Sequence, residues 1–150
     1  WADCERHDIP VMIFAPFAVA AIGKIAERHP GLRVIVDHMG LNVQWRGKEL
    51  APGVDELLTF ARLPNVAVKA SCLPCYVAES YPYPTLYPQV RRVVDAFGPQ
   101  RIMWGTDLSQ SPISYRQNVT LFTEEMDFLS ADDKEWIMGK SLAHWLRWPD

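Results

Sequence analysis

The sequence predicts an α/β fold built on parallel strands, and three observations carry that prediction. Four short apolar runs each follow a turn signal: "DIPVMIFA" (8–15), "GLRVIVDH" (31–38), "PNVAVKAS" (64–71) and "PQRIMWGTD" (99–107). Each run is apolar on both faces, the pattern of a strand buried between two layers rather than one half-exposed to water. Helical periodicity fills the intervals, so strand and helix alternate four times.

Taken in order, "WADCER" reads as the tail of a helix running into the first strand, and a start at Trp1 reads as the middle of something larger. Residues 17–28 place Ile22, Ile25 and Ala26 on one helical face. Residues 54–61 place Val54, Leu57, Leu58 and Ala61 on another, with Asp55 and Glu56 in the first turn, where the helix dipole favours them. Residues 86–97 repeat the spacing with Val90, Val93, Val94 and Phe97, and Gly98 marks the stop. Residues 115–128 align Val119, Phe122 and Met126. Two short helices are predicted at 131–138 and 141–147, the first capped by Ser130.

Composition narrows the function classes. A chain of 150 residues is one unit by length, and 49% hydrophobic content gives it a core to bury. The net charge of −3 comes without any basic block, and "VRR" is one face of a helix, so nothing marks a nucleic-acid partner. The longest apolar run, Val11–Ala15, stops at Pro16, too short to cross a bilayer. Three cysteines make a disulfide framework unexpected and point to a reducing, cytoplasmic setting.

Parallel strands joined by helices form an open, doubly wound sheet or a closed barrel. No G-x-G-x-x-G or G-x-x-x-x-G-K stretch argues for the nucleotide-binding version. Polar residues stand just past three strand ends instead: Asp37 and His38, Lys69 and Ser71, Thr106 and Asp107. In a (β/α)8 barrel, that face performs the chemistry.

Asp107 suits an oxygen ligand of a divalent cation or a general base, and equally a loop cap. His38 suits an acid–base role, or a core histidine bonded to backbone. Lys69 sits in an apolar strand and needs a partner, or must reach the rim. His7 and His29 end helices and read as structural, and His144 reads as solvent-facing. "SCLPC" has the spacing of a thiol redox pair, but the Pro-rich "YVAESYPYPTLYP" that follows is not a helix start, so two incidental loop cysteines are the plainer reading. The loop's aromatics, Tyr76, Tyr81, Tyr83 and Tyr87, suit the wall of a substrate pocket.

"GLRVIVDHMG", "PNVAVKAS", "RIMWGTDLSQ" and "IMGKSLAHWLRW", in that order, resemble the C-terminal half of the amidohydrolase-related, metal-dependent hydrolases of TIM-barrel fold. The resemblance implies that the four strands are barrel strands 5 to 8. It implies that Asp107 ligates metal or activates water, and that His38 contacts substrate or polarises the attacked group. Ser71, Lys69 and Tyr76 become the substrate-binding candidates. A divalent ion, zinc first, is the cofactor such relatives imply. Here, however, the strand-1 His-x-His lies outside the sequence and Phe14 stands where strand 5 carries a histidine, so no metal, as in the lactonase type, is the other expectation. Leu108 and Ser109 replace the family's aromatic-Pro. The substrate implied is a small carboxylated or cyclic ester- or amide-like molecule, with a non-oxidative decarboxylase and a non-catalytic binding domain as rivals. Four strands do not close a barrel of eight, so the missing N-terminal half or a second copy of the chain is the expected partner.

Overall fold

The computed structural model describes residues 1–148. Its sheet has four parallel strands in the order of the sequence: β1 (Val11–Ile13), β2 (Val34–Val36), β3 (Val66–Ala70) and β4 (Ile102–Trp104). Val34 stands opposite Val11 on one side and Val66 on the other, and Val68 stands opposite Ile102. Each strand lies within a predicted run but is shorter, because the flanking residues turn out of the ladder.

Alternate residues separate the two faces. Val34, Val36, Val66, Val68, Ala70 and Ile102 pack into the main core with the helices. Ile35, Ala67 and Met103 point the other way and are covered by Trp145. The double burial expected of all four strands therefore holds for the middle of the sheet. It does not hold for β1, where Met12 is 45% exposed. That strand has a neighbour on one side only, and its outward face is left half-exposed.

The helices are α1 (Ala2–Arg6), α2 (Val19–Arg28), α3 (Leu50–Leu58), α4 (Tyr87–Phe97), α5 (Tyr115–Thr120), α6 (Ala131–Glu135) and α7 (Ser141–Leu146). α3 begins four residues before its expected start. A capping turn precedes it, with the Arg46 N–H donating to the Glu49 carboxylate at 2.9 Å, and Pro52 sits in the first turn, where its missing N–H costs nothing. Asp55 and Glu56 consequently lie beyond the first turn. Asp55 pairs with Arg92 of α4, and Glu56 accepts from the Ala20 N–H at 3.2 Å, tying α3 to the start of α2. The two short helices expected near the C-terminus are one continuous run, because a π-helical turn over Trp136–Lys140 joins α6 to α7. Ser130 caps it as expected, accepting from the Asp133 N–H at 3.1 Å.

Side chains stitch the N-terminal ends of the strands. Asn65 donates to the carbonyls of Ala26, His29 and Leu32, and the Arg101 guanidinium donates to those of Ala61, Leu63, Val66 and Phe97. Backbone groups that leave the sheet there are thus satisfied internally. The opposite, C-terminal end of the sheet is left to carry polar side chains free of that duty.

Candidate functional site

At the C-terminal ends of β2, β3 and β4 the backbone turns sharply, and ordinary residues hold the turns. His38 and Met39 have φ of 52° and 55°, Cys72 has 60° and Asp107 has 50°. Non-glycine residues in this left-handed region cost about 1–3 kcal/mol each and persist only where surrounding contacts impose them. Four such residues fall at three adjacent strand ends. Gly105 is not the hinge its place before Asp107 suggests, since it lacks a positive φ. Its role is clearance: a side-chain carbon there would stand 3.2 Å from the Ser71 Cβ.

These turns bring together the imidazole and the carboxylate picked out in the sequence. His38 Nε2 lies 3.6 Å from Asp107 Oδ2, with both side chains mostly buried. Ser71 Oγ lies 2.8 Å from His38 Nδ1, on the far side of the ring. The Phe14 ring meets the imidazole edge-on at 5.0 Å. Its carbon edge offers no lone pair, so the position next to His38 packs the ring rather than adding a ligand. The Asp107 carbonyl accepts from the N–H groups of Gln110 and Ser111, which closes the loop after β4 and aims its carboxylate back at β2.

Lys69 lies two residues before Ser71, on the same face of β3. Its ammonium is 2.7 Å from Asp37 Oδ1 and 3.4 Å from the Met12 sulfur. The charge therefore has a partner just past the end of β2. That carboxylate oxygen sits outside hydrogen-bonding direction, so the contact is an ion pair without a directed bond.

Tyr76, expected on a substrate wall, is fully buried. Its hydroxyl donates to the carbonyls of His38 and Leu41, both at 3.3 Å, and burial pushes its ionisation up. It braces the left-handed turn beneath His38 and offers a substrate no surface. His7 and His29 close α1 and α2: His7 Nδ1 meets the Asp3 carbonyl at 2.8 Å, and His29 Nδ1 meets the Glu5 carboxylate at 2.7 Å. His144 is exposed.

The strand-end reading missed the setting of the cysteines. Cys72 is fully buried directly after Ser71, and Cys75 is partly exposed. The neighbouring Cys75 thiol, burial and the negative charge of Asp107 push the Cys72 thiol up, and the neighbouring Cys72 thiol lowers that of Cys75. The spacing of "SCLPC" was the available signal, but proximity to Asp107 belongs to the fold.

Among the described residues, no three His, Cys, Asp or Glu side chains gather where they could hold a metal ion. His38 and Asp107 are two donors, short of a resident metal's coordination shell. The described residues thus do not by themselves fit the expected zinc, and no step below runs through a metal. A cavity of about 780 Å³ lies at the other end of the sheet, lined by Arg33, Arg101, His144 and Trp145 among others, away from His38 and Asp107. No helix among the described residues is long and apolar enough to cross a membrane.

Comparison with known proteins bears on the family and the fold. L-fucono-1,5-lactonase of Burkholderia ambifaria is 30% identical over 151 residues, covering 94% of this chain and 51% of that protein. The chain therefore spans about half the length of the curated relative it matches. A zinc-bound amidohydrolase from Burkholderia multivorans superposes with a TM-score of 0.82 at 24% identity, over 99% of this chain and 56% of its own. The 5-carboxyvanillate decarboxylase of Sphingomonas paucimobilis superposes with a TM-score of 0.55 at 20% identity, over 87% and 38%. At such identities the structures speak for the fold, a (β/α)8 barrel of which this chain supplies four strands. The family model described as Amidohydrolase matches residues 1–141, and the chain belongs to the amidohydrolase family.

Proposed function

We propose that residues 1–150 form one structural unit, one wall of the active site of a lactone hydrolase acting on a small, cyclic or carboxylated ester. The observation that carries this reading is the 3.6 Å approach of His38 Nε2 to the Asp107 carboxylate from two non-adjacent strands. A carboxylate held on a short, rigid loop takes a proton from water with little reorganisation. The hydroxide adds to the lactone carbonyl, the ring C–O bond breaks, and the departing alkoxide receives the proton. With Ser71 donating to Nδ1, Nε2 of His38 carries the hydrogen and donates to the carbonyl oxygen as charge grows there. Lys69, paired to Asp37, is read as the cation that attracts a substrate carboxylate. Product release as the ring-opened acid completes the cycle.

The complete protein is needed for the remaining wall. Met12 and Phe14 stand exposed along β1, the edge of the sheet, and a complementary half barrel is the partner that such an edge fits. The test is acid release from a panel of sugar 1,5-lactones, L-fucono-1,5-lactone included, by the complete protein and its Asp107→Asn variant. The variant is expected to lose about 10²–10⁴-fold in kcat, the contribution of a positioned general base, with its circular dichroism unchanged. Release of CO2 from aromatic carboxylates without lactone opening would replace this reading with a decarboxylase. Binding without turnover would replace it with a binding domain.

A further inference from the structure

The C-x-x-C turn after β3 is absorbed by neither the fold nor the proposed hydrolysis. We propose that Cys72 and Cys75 are a redox-modification site, a dithiol that closes to an intramolecular disulfide by exchange with a low-molecular-weight disulfide such as oxidised glutathione, and that closure loosens the loop carrying Asp107.

The geometry supports each part. The Cys75 N–H donates to the Cys72 carbonyl at 2.9 Å, so the four residues form a hydrogen-bonded turn, and Pro74 stiffens it. Such a turn brings its first and last Cα atoms within about 7 Å, overlapping the roughly 4.4–6.8 Å span of disulfides. Exposure divides the labour: Cys75 is partly exposed and meets the oxidant, whereas Cys72 is fully buried and is reached only by its neighbour.

The exchange balances. The Cys75 sulfur attacks one sulfur of the glutathione disulfide, forming a mixed disulfide and releasing one glutathione. The Cys72 sulfur then displaces the second glutathione from Cys75, and its proton leaves with that thiol. Two thiols are oxidised, one external disulfide is reduced, and two glutathione thiols are produced.

The coupling runs through Gln110. In the dithiol form the Cys75 thiol donates to the Gln110 carbonyl at 3.2 Å. The Gln110 N–H in turn donates to the Asp107 carbonyl at 2.9 Å, beside that of Ser111 at 3.1 Å. A disulfide has no hydrogen to donate, so oxidation removes the tie between the two loops. The coupling rests on this contact, and the proposal stands whether or not the site hydrolyses lactones.

The experiment uses the complete protein carrying Cys4→Ser, which leaves one fewer thiol to account for. The folded protein is incubated with oxidised glutathione, quenched in acid, denatured, alkylated and digested. The expected result is a peptide containing Cys72 and Cys75, free of alkylation and lighter by two hydrogens. Faster hydrogen–deuterium exchange across 107–111 should accompany it, and dithiothreitol should reverse both. A doubly alkylated peptide, or a stable glutathione adduct on Cys75 with Cys72 alkylated, would overturn the dithiol site. A disulfide that leaves exchange at 107–111 unchanged would overturn the coupling. Because the unmutated pair is read directly, no substitution at Cys72 or Cys75 has to fold.

Discussion

Ser71 Oγ sits 2.8 Å from Nδ1 of His38, and the other ring nitrogen faces Asp107. One side chain just past β3 thus sets how an imidazole on the β2 turn is presented to a carboxylate on the β4 loop. Phe14 holds the same ring from its edge, so rotation about the His38 side chain is opposed by a packing contact and a hydrogen bond.

Removing the hydrogen bond while keeping the packing separates the two. Ser71→Ala is expected to lower kcat of the complete protein about two- to thirteenfold, since a buried hydrogen bond contributes roughly 0.5–1.5 kcal/mol. The fold should persist, and Ser71→Thr should restore part of the loss. Steady-state rates on an accepted lactone check this, and an unchanged rate in Ser71→Ala would show that the serine does not orient the ring.

Lys69 and Asp37 form an ion pair whose side chains are only 24% and 17% exposed. Lys69→Met leaves the Asp37 carboxylate without its counter-charge and is expected to destabilise by about 1–3 kcal/mol. Adding Asp37→Asn removes the stranded charge, so the double variant should be more stable than the sum of the singles implies. Urea unfolding midpoints of the four proteins close the cycle, and strict additivity would mean that the pair does not interact.

Gly23 lies mid-helix in α2, where a glycine ordinarily weakens the helix. Its reason is the Phe60 ring: a Cβ built there would come within 1.9 Å of it. Helix propensity favours Gly23→Ala by about 1 kcal/mol, whereas overpacking a filled core costs about 1–3 kcal/mol. The clash should win, and Gly23→Ala should lower the Tm. Gly139→Ala serves as the control, because nothing lies within 4 Å of its Cβ position, and it should leave the Tm unchanged or raise it.

Glu5 joins α1 to the end of α2. Its hydrogen bond to His29, and then that from the Gly31 N–H, hold its carboxyl below the usual glutamate range. A carboxyl lowered on folding stabilises the folded state above its unfolded pKa, and the contribution disappears as pH falls through its folded value. Glu5→Gln should therefore melt earlier than the parent at neutral pH and converge with it in acid. Parallel melting curves from pH 7 down to about pH 3 measure the gap. A gap that persists at the acid end would place the effect elsewhere.

The sequence determined the number of strands, their parallel order and the end of the sheet where polar side chains gather. These follow from local pattern: a run apolar on both faces is buried wherever it lies, and polar residues past its end collect at one rim. Asp37, His38, Lys69, Ser71 and Asp107 were readable for that reason. The family resemblance, carried by ordered blocks, was also readable, and residues 1–141 bear it out. Tertiary structure alone decided the partnerships. Ser71 meets His38 across 33 positions, Lys69 takes Asp37, and Tyr76 turns inward to hold the His38 turn. It also decided where α3 begins and that α6 runs through a π turn into α7. Local periodicity reports whether a residue is buried; which distant residue it touches depends on strand register and on the left-handed turns at His38, Cys72 and Asp107, which no spacing in the chain spells out.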